Sequence, residues 1–125
     1  MTSRIAVLAI DAADPRTVAD FWCAVLGWSE VDADGADVSI GDGTGQQIDV
    51  IAVPELKTVK NRLHLDLRAD GTSTAEELDR LLALGARRVD VGQPDDASWT
   101  VLADPEGNEF CLLSRTAQEL SLIHI

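Results

Sequence analysis

The stretch Asn61-Arg62-Leu63-His64-Leu65-Asp66-Leu67-Arg68 sets four ionisable side chains at alternate positions. His64 is the one histidine outside the last two residues. An imidazole titrates near neutrality, so it can take and return a proton if a substrate reaches it. Asp66 stands two residues further along the same face, where it can orient the ring or pair with a cross-strand arginine. Arg62 and Arg68 can grip a substrate carboxylate or phosphate through two hydrogen bonds. The plainer alternatives are a histidine bonded to a neighbouring strand and arginines that offset an acidic surplus in surface pairs. The intervening leucines complete a strict period of two, the mark of a strand over Arg62–Arg68 with one face on a core.

A second group lies in Asn108-Glu109-Phe110-Cys111-Leu112. Glu109 shares the face of Cys111 under period two and is the best further carboxylate for acid–base work, or a purely structural residue. Cys111, between Phe110 and Leu112, reads either as a soft ligand or as a small apolar filler. Trp22 falls on a helical stripe and reads as core. Trp28 begins a strand and Trp99 lies within one; each can form an aromatic wall for a planar ligand.

The elements that must position these groups follow from pattern. Arg4–Asp11 reads as a strand. Asp14-Pro15 opens a helix, with Val18, Phe21, Trp22, Val25 and Leu26 on one face and Gly27 at its end. Strands are expected at Trp28–Val31, Asp37–Ile40 and Gln47–Val53, with turns at Asp34-Gly35 and Asp42-Gly43. After a linker at residues 54–61 the order recurs. The strand Arg62–Arg68 precedes a helix capped by Ser73 with Glu76 or by Thr74 with Glu77, striped with Leu78, Leu81 and Leu82 and ended by Gly85. Strands follow at Arg88–Val91, Ser98–Ala103 and Glu109–Leu113, with type I turn chemistry in Asp104-Pro105-Glu106-Gly107. This predicts an α+β fold of two tandem βαβββ modules, at about residues 3–53 and 62–115, with a tail at 116–125. The turn and strand from Asp42 to Val50 run parallel in residue type to those from Asp104 to Leu112. A ferredoxin-like sandwich is the competing architecture, but it needs fewer strands. The tail is apolar enough to pack, on another subunit or elsewhere.

Composition narrows the functions. Acidic residues number 22 against 10 basic, a formal charge of −12, which disfavours nonspecific binding to nucleic acid or an anionic membrane. No apolar run is long enough to cross a membrane, and Met1 to Ile5 lacks the build of a signal peptide. Two cysteines suit reduced thiols in a cytoplasmic protein better than a disulfide framework. Tyrosine is absent. There is no P-loop, since Gly41 to Gly45 lacks the Lys-Ser/Thr pair, no CxxC, and no serine on a strand-to-helix elbow.

Three segments carry a family resemblance: Asp14-Pro15 with Phe21-Trp22 and Leu26-Gly27-Trp28, Lys57 to Leu67, and Asp104 to Cys111. Together the chain resembles the vicinal oxygen chelate superfamily of glyoxalase I, bleomycin-resistance proteins and extradiol dioxygenases, and most closely its glyoxalase-like domain branch. The resemblance implies two βαβββ modules forming a curled mixed sheet around a central cavity, with Trp99 near its mouth. It also implies four ligand places in metal-using members, one on the first and one on the last strand of each module. In this chain they fall at Val7, Asp49, His64 and Cys111. Valine ligates nothing, so at most His64, Asp49 and Cys111 remain, a set suited to zinc rather than to Mg²⁺ or Mn²⁺.

The expectation is therefore a cytoplasmic protein that binds a small organic molecule between its modules without an obligatory metal. It would be either a sequestering protein or an enzyme in which His64, with Asp49, Asp66 or Glu109, abstracts a proton beside a carbonyl. The other ligand contacts are expected from Asp49, Arg62, Trp28, Trp99 and Cys111. The alternative is a zinc-dependent lyase, isomerase or dioxygenase. A homodimer is expected, since relatives commonly pair and free sheet edges need covering.

Overall fold

Asp14 starts the first helix as its chemistry dictates. Its carboxylate accepts from the Thr17 N–H at 3.3 Å and the Thr17 hydroxyl at 2.7 Å. Pro15 takes the first helical position, where a missing N–H costs nothing. In the computed structural model, which describes residues 1–90 and 98–123, this helix, α1, runs Pro15–Leu26 and ends at Gly27, whose φ of 69° is left-handed. Val18, Phe21, Trp22 and Val25 are buried along one face, as their spacing predicts. The rings of Phe21 and Trp22 meet edge to face at 5.2 Å.

The strands of the first module are β1 (Leu8–Ala12), β2 (Ser29–Asp34), β3 (Asp37–Gly41) and β4 (Gln47–Ala52). They form one sheet in the order β1-β4-β3-β2. The first and last strands pair in parallel, with Ala9 opposite Asp49, and the other pairs are antiparallel. Val38, Ile40, Ile48 and Val50 alternate onto the buried face, and Ser39 and Asp49 face the other way.

The second module repeats this plan. It comprises β5 (Asp66–Leu67), the helix α2 (Thr74–Leu84), β6 (Arg87–Arg88), β7 (Trp99–Ala103) and β8 (Glu109–Leu113). The sheet order is β5-β8-β7-β6, again with first and last strands parallel. Leu81, Leu102, Phe110 and Leu112 are fully buried in it. Two four-stranded mixed sheets, each with a helix after its first strand, are the expected pair of βαβββ modules, and the strand count rules out the ferredoxin-like alternative. The chain divides between Thr58 and Val59, inside the expected linker.

Of the two capping schemes, the structure uses Ser73. Its side chain accepts from the Glu76 N–H at 3.1 Å. We expect Ser73→Ala to cost about 1 kcal/mol, the usual value for a lost helix N-cap. Urea unfolding would measure it, and an unchanged midpoint would show that the hydroxyl carries no capping energy.

The internal repeat extends to individual hydrogen bonds. Asp42 accepts from the Thr44 N–H at 2.8 Å and the Gln46 N–H at 3.1 Å. Asp104 accepts from the Glu106 and Asn108 N–H groups, both at 2.9 Å. Each is one aspartate gathering the amides two and four residues on. The Thr44 bonds, from its N–H and then its hydroxyl, hold the Asp42 carboxyl below the ordinary carboxylate range. A carboxyl depressed by folding contributes stability that is present above its unfolded pKa and is lost as pH falls through its folded one. Asp42→Asn should therefore flatten the acid limb of a stability–pH profile below about pH 4, read by urea melts. An unaltered acid limb would contradict this.

Two expectations are corrected. β1 begins at Leu8, not Arg4, because its ladder to β4 starts at the Leu8–Ile48 pair. The tail, expected to pack on another subunit or elsewhere, forms a helix at Ala117–Ile123, α3. It is tied to the second module by the Ala117 N–H on the Ala69 carbonyl at 2.7 Å and by Gln118 on Asp70 at 2.6 Å. The strand expected over Arg62–Arg68 is paired only at Asp66–Leu67. Before it the backbone leaves the ladder, and the Asn61 N–H goes to the Glu109 carboxylate at 3.1 Å. Leu63, expected in the core, is accordingly 84% exposed. Val91, the end of an expected strand, and the Asp95-Asp96 pair lie outside the described residues.

Candidate functional site

The site is set by the register of β5 on β8. Asp66 lies opposite Cys111, and the Cys111 N–H bonds the Leu65 carbonyl at 2.9 Å. Opposed residues of a ladder project to the same face, and residues two apart share it. Asp66, Glu109 and Cys111 therefore belong to one face of this sheet, and His64, just before β5, is held to that face by its bond to the Asp66 carboxylate. β7 adds Trp99, Val101 and Ala103 to it, opposite Leu113, Cys111 and Glu109. Phe110 and Leu112 point to the other face and into the core.

On that face three functional groups converge. One ligand-capable atom from each of His64, Asp66 and Cys111 lies within 4.8 Å of the others. His64 Nδ1 and Asp66 Oδ1 are 2.8 Å apart, with the two side chains 41% and 46% exposed. A carboxylate can only accept, so this bond assigns the proton to Nδ1 and leaves the lone pair on Nε2. Cys111 is buried beneath them. Its burial first, then the Asp66 charge and a hydrogen bond to Asp66, push the thiol above its ordinary pKa, with Lys60 pulling weakly the other way. The thiol at neutral pH is thus a proton donor to Asp66 and not a nucleophile.

The remaining sequence candidates are distributed as follows. Glu109 holds the Asn61 N–H. Asp49 is in the first module, where Ser39 Oγ and Gln47 Nε2 donate to it at 2.7 and 2.9 Å. Trp28 is half-buried just before β2, and Trp99 is partly exposed at the start of β7. Arg62 is exposed, and Arg68 turns to the Arg115 carbonyl at 3.1 Å. The sequence reading placed Asp49 with His64 and Cys111 as a ligand set. The group that the described residues bring together has Asp66 as its carboxylate. The signal for it was there in the period of two, which puts Asp66 on the face of His64, but the pairing of Asp66 with Cys111 is a long-range register. Lys60, whose charge reaches Cys111, was read only as part of the linker.

Comparison with known proteins follows the fold. A family model described as a glyoxalase-like domain matches residues 7–113. Among solved structures, a mutant of the genomically encoded fosfomycin resistance protein FosX from Listeria monocytogenes, complexed with Mn(II) and 1S,2S-dihydroxypropylphosphonic acid, superposes with a TM-score of 0.72. It is 16% identical, over 97% of this chain and 99% of that one. FosX from Mesorhizobium loti gives a TM-score of 0.68 at 15% identity, over 97% and 99%. A glyoxalase/bleomycin resistance protein/dioxygenase family enzyme from Burkholderia phytofirmans PsJN gives 0.61 at 22%, over 86% and 94%. A sequence search of curated proteins finds no match.

Mn(II) in the FosX complex raises the question of which ion these residues suit. One imidazole nitrogen, one carboxylate oxygen and one sulfur make a donor set for zinc, which accepts all three. They do not suit Mn(II), which favours oxygen. In the repeat, Val7 stands two residues before Ala9 as His64 stands two before Asp66, and valine has no donor atom.

Proposed function

The chain belongs to the glyoxalase-like domain family, and we propose that it binds a small organic carbonyl compound beside His64, Asp66 and Trp99 of its second module. His64 there moves a proton at the carbon beside the carbonyl, with no obligatory metal. The observation that carries this reading is the 2.8 Å bond between His64 Nδ1 and Asp66 Oδ1. It holds the ring in one tautomer with Nε2 free as a base, and Asp66 stabilises the imidazolium formed when Nε2 takes the proton. Cys111, kept as a thiol, completes the hydrogen bonding of Asp66, so the cluster is satisfied by protons alone. Trp99 and Arg62 are the side chains proposed to line the bound molecule, by ring contact and by a hydrogen-bonded grip on an acidic group.

The test is proton exchange. A panel of α-hydroxy ketones and 2-oxo acids is incubated with chelator-treated protein in D₂O, and loss of the carbon-bound proton is followed by NMR. Protein-dependent exchange that disappears with His64→Ala supports the reading. Exchange that survives in that variant, or no exchange across the panel, overturns it. A compound retained by the protein but recovered without deuterium would instead assign a sequestering role.

A further inference from the structure

We infer that His64, Asp66 and Cys111 form a zinc-class site contained in one module, and that its occupation takes His64 out of proton transfer. Zinc would then be an inhibitor of this protein and not its cofactor. The inhibitory consequence rests on the function proposed above; the site itself does not.

The argument starts from the donors. Asp66 and Cys111 come from two adjacent strands and His64 from just before the first of them, and their ligand atoms lie within 4.8 Å of one another. Around one tetrahedral zinc, donors stand about 3.5 Å apart, so the closure needed is on the order of an ångström. His64 and Asp66 are both about half exposed, which leaves their side chains room to make that adjustment. Cys111 is anchored by the ladder beneath them. Three protein ligands leave a fourth position to solvent. Nitrogen, carboxylate oxygen and sulfur together select zinc over the oxygen-preferring Mg²⁺ and Mn²⁺.

The site also differs from one shared between modules. Its carboxylate is Asp66, two residues after His64, so neither Asp49 nor the Val7 position is needed. The exchange balances simply: the ion gains the Cys111 sulfur and the thiol proton passes to solvent. The imidazole lone pair and the Asp66 oxygen then serve the ion, and neither remains to accept or steer a substrate proton.

The experiment loads the full-length protein with Zn(II), removes excess ion by gel filtration, and measures the metal retained. In parallel, Co(II) is added and the near-ultraviolet thiolate-to-cobalt band recorded. About one retained equivalent per chain and a thiolate–cobalt band are expected, because three protein donors including sulfur would hold the ion. Both should be lost in Cys111→Ser and in Asp66→Ala and kept in Asp49→Ala. Absence of the band in the unaltered chain, which needs no variant to fold, overturns the site. So does loss of the ion in Asp49→Ala to the same extent as in Asp66→Ala. Added Zn(II) should also suppress the deuterium exchange described above. If exchange proceeds unaffected by retained zinc, the inhibition is wrong although the site stands. If zinc is held but chelated protein exchanges nothing, the proton-transfer reading fails while the site survives.

Discussion

His64→Ala is expected to slow carbon-to-solvent proton exchange by about 10²–10⁴-fold, the usual contribution of a positioned general base. Asp66→Ala should lower kcat with little change in KM, because Asp66 holds the ring and touches no substrate in this scheme. The stability of both variants is expected to stay within about 1 kcal/mol of the parent, since an ion pair this exposed contributes little to folding. That separation makes the result readable: a slow variant with an unchanged urea midpoint has lost chemistry and not structure. An Asp66→Ala protein with full kcat would show that the ring needs no partner.

The second large effect is on folding. Asp104 is fully buried. Its Oδ1 accepts the Glu106 and Asn108 amides and its Oδ2 the Asn108 side-chain amide, all at 2.9 Å. Its backbone closes the turn through the Gly107 N–H on its carbonyl, also at 2.9 Å. Asp104→Ala strips partners from three part-buried donors at once. Each such donor costs about 1–3 kcal/mol, so a loss of about 3 kcal/mol is expected, or roughly 10 °C in Tm. Asp104→Asn, which keeps an acceptor, should lose less. A loss under about 0.5 kcal/mol in the alanine variant, the range of a neutral surface change, would show that the turn stands without this carboxylate.

Local chemistry made much of the fold legible. Asp14, Pro15 and Gly27 bracket α1, and Ser73 and Gly85 bracket α2, because caps act within one turn of chain. The hairpin into β8 was readable to the residue, since an Asp-Pro-Glu-Gly turn and an alternating strand are both short-range signals. The stretch from Asn61 to Leu65 was not. Its alternation is real, but a strand needs a partner, and the ladder to β8 pairs only Asp66 and Leu67. Leu63 was misread for that reason. The neighbourhood of His64 was largely legible: the period of two put Asp66 beside it and the family resemblance put Cys111 with it, whereas the pairing of Asp66 with Cys111 is a register 45 residues apart in sequence (66 to 111). That Val7, the counterpart of His64, has no donor atom was visible from residue type alone.

The parallel closure of each sheet by its first and last strands has a consequence during synthesis on the ribosome. β1 waits for β4, so the first sheet can be finished as soon as Ala52 has left the exit tunnel, while the second is still being made. β5 waits for β8, so His64 and Asp66 emerge long before Cys111 arrives to back them. The nascent chain can therefore carry a paired first sheet while the His64, Asp66 and Cys111 cluster stays unfinished until β8 is made.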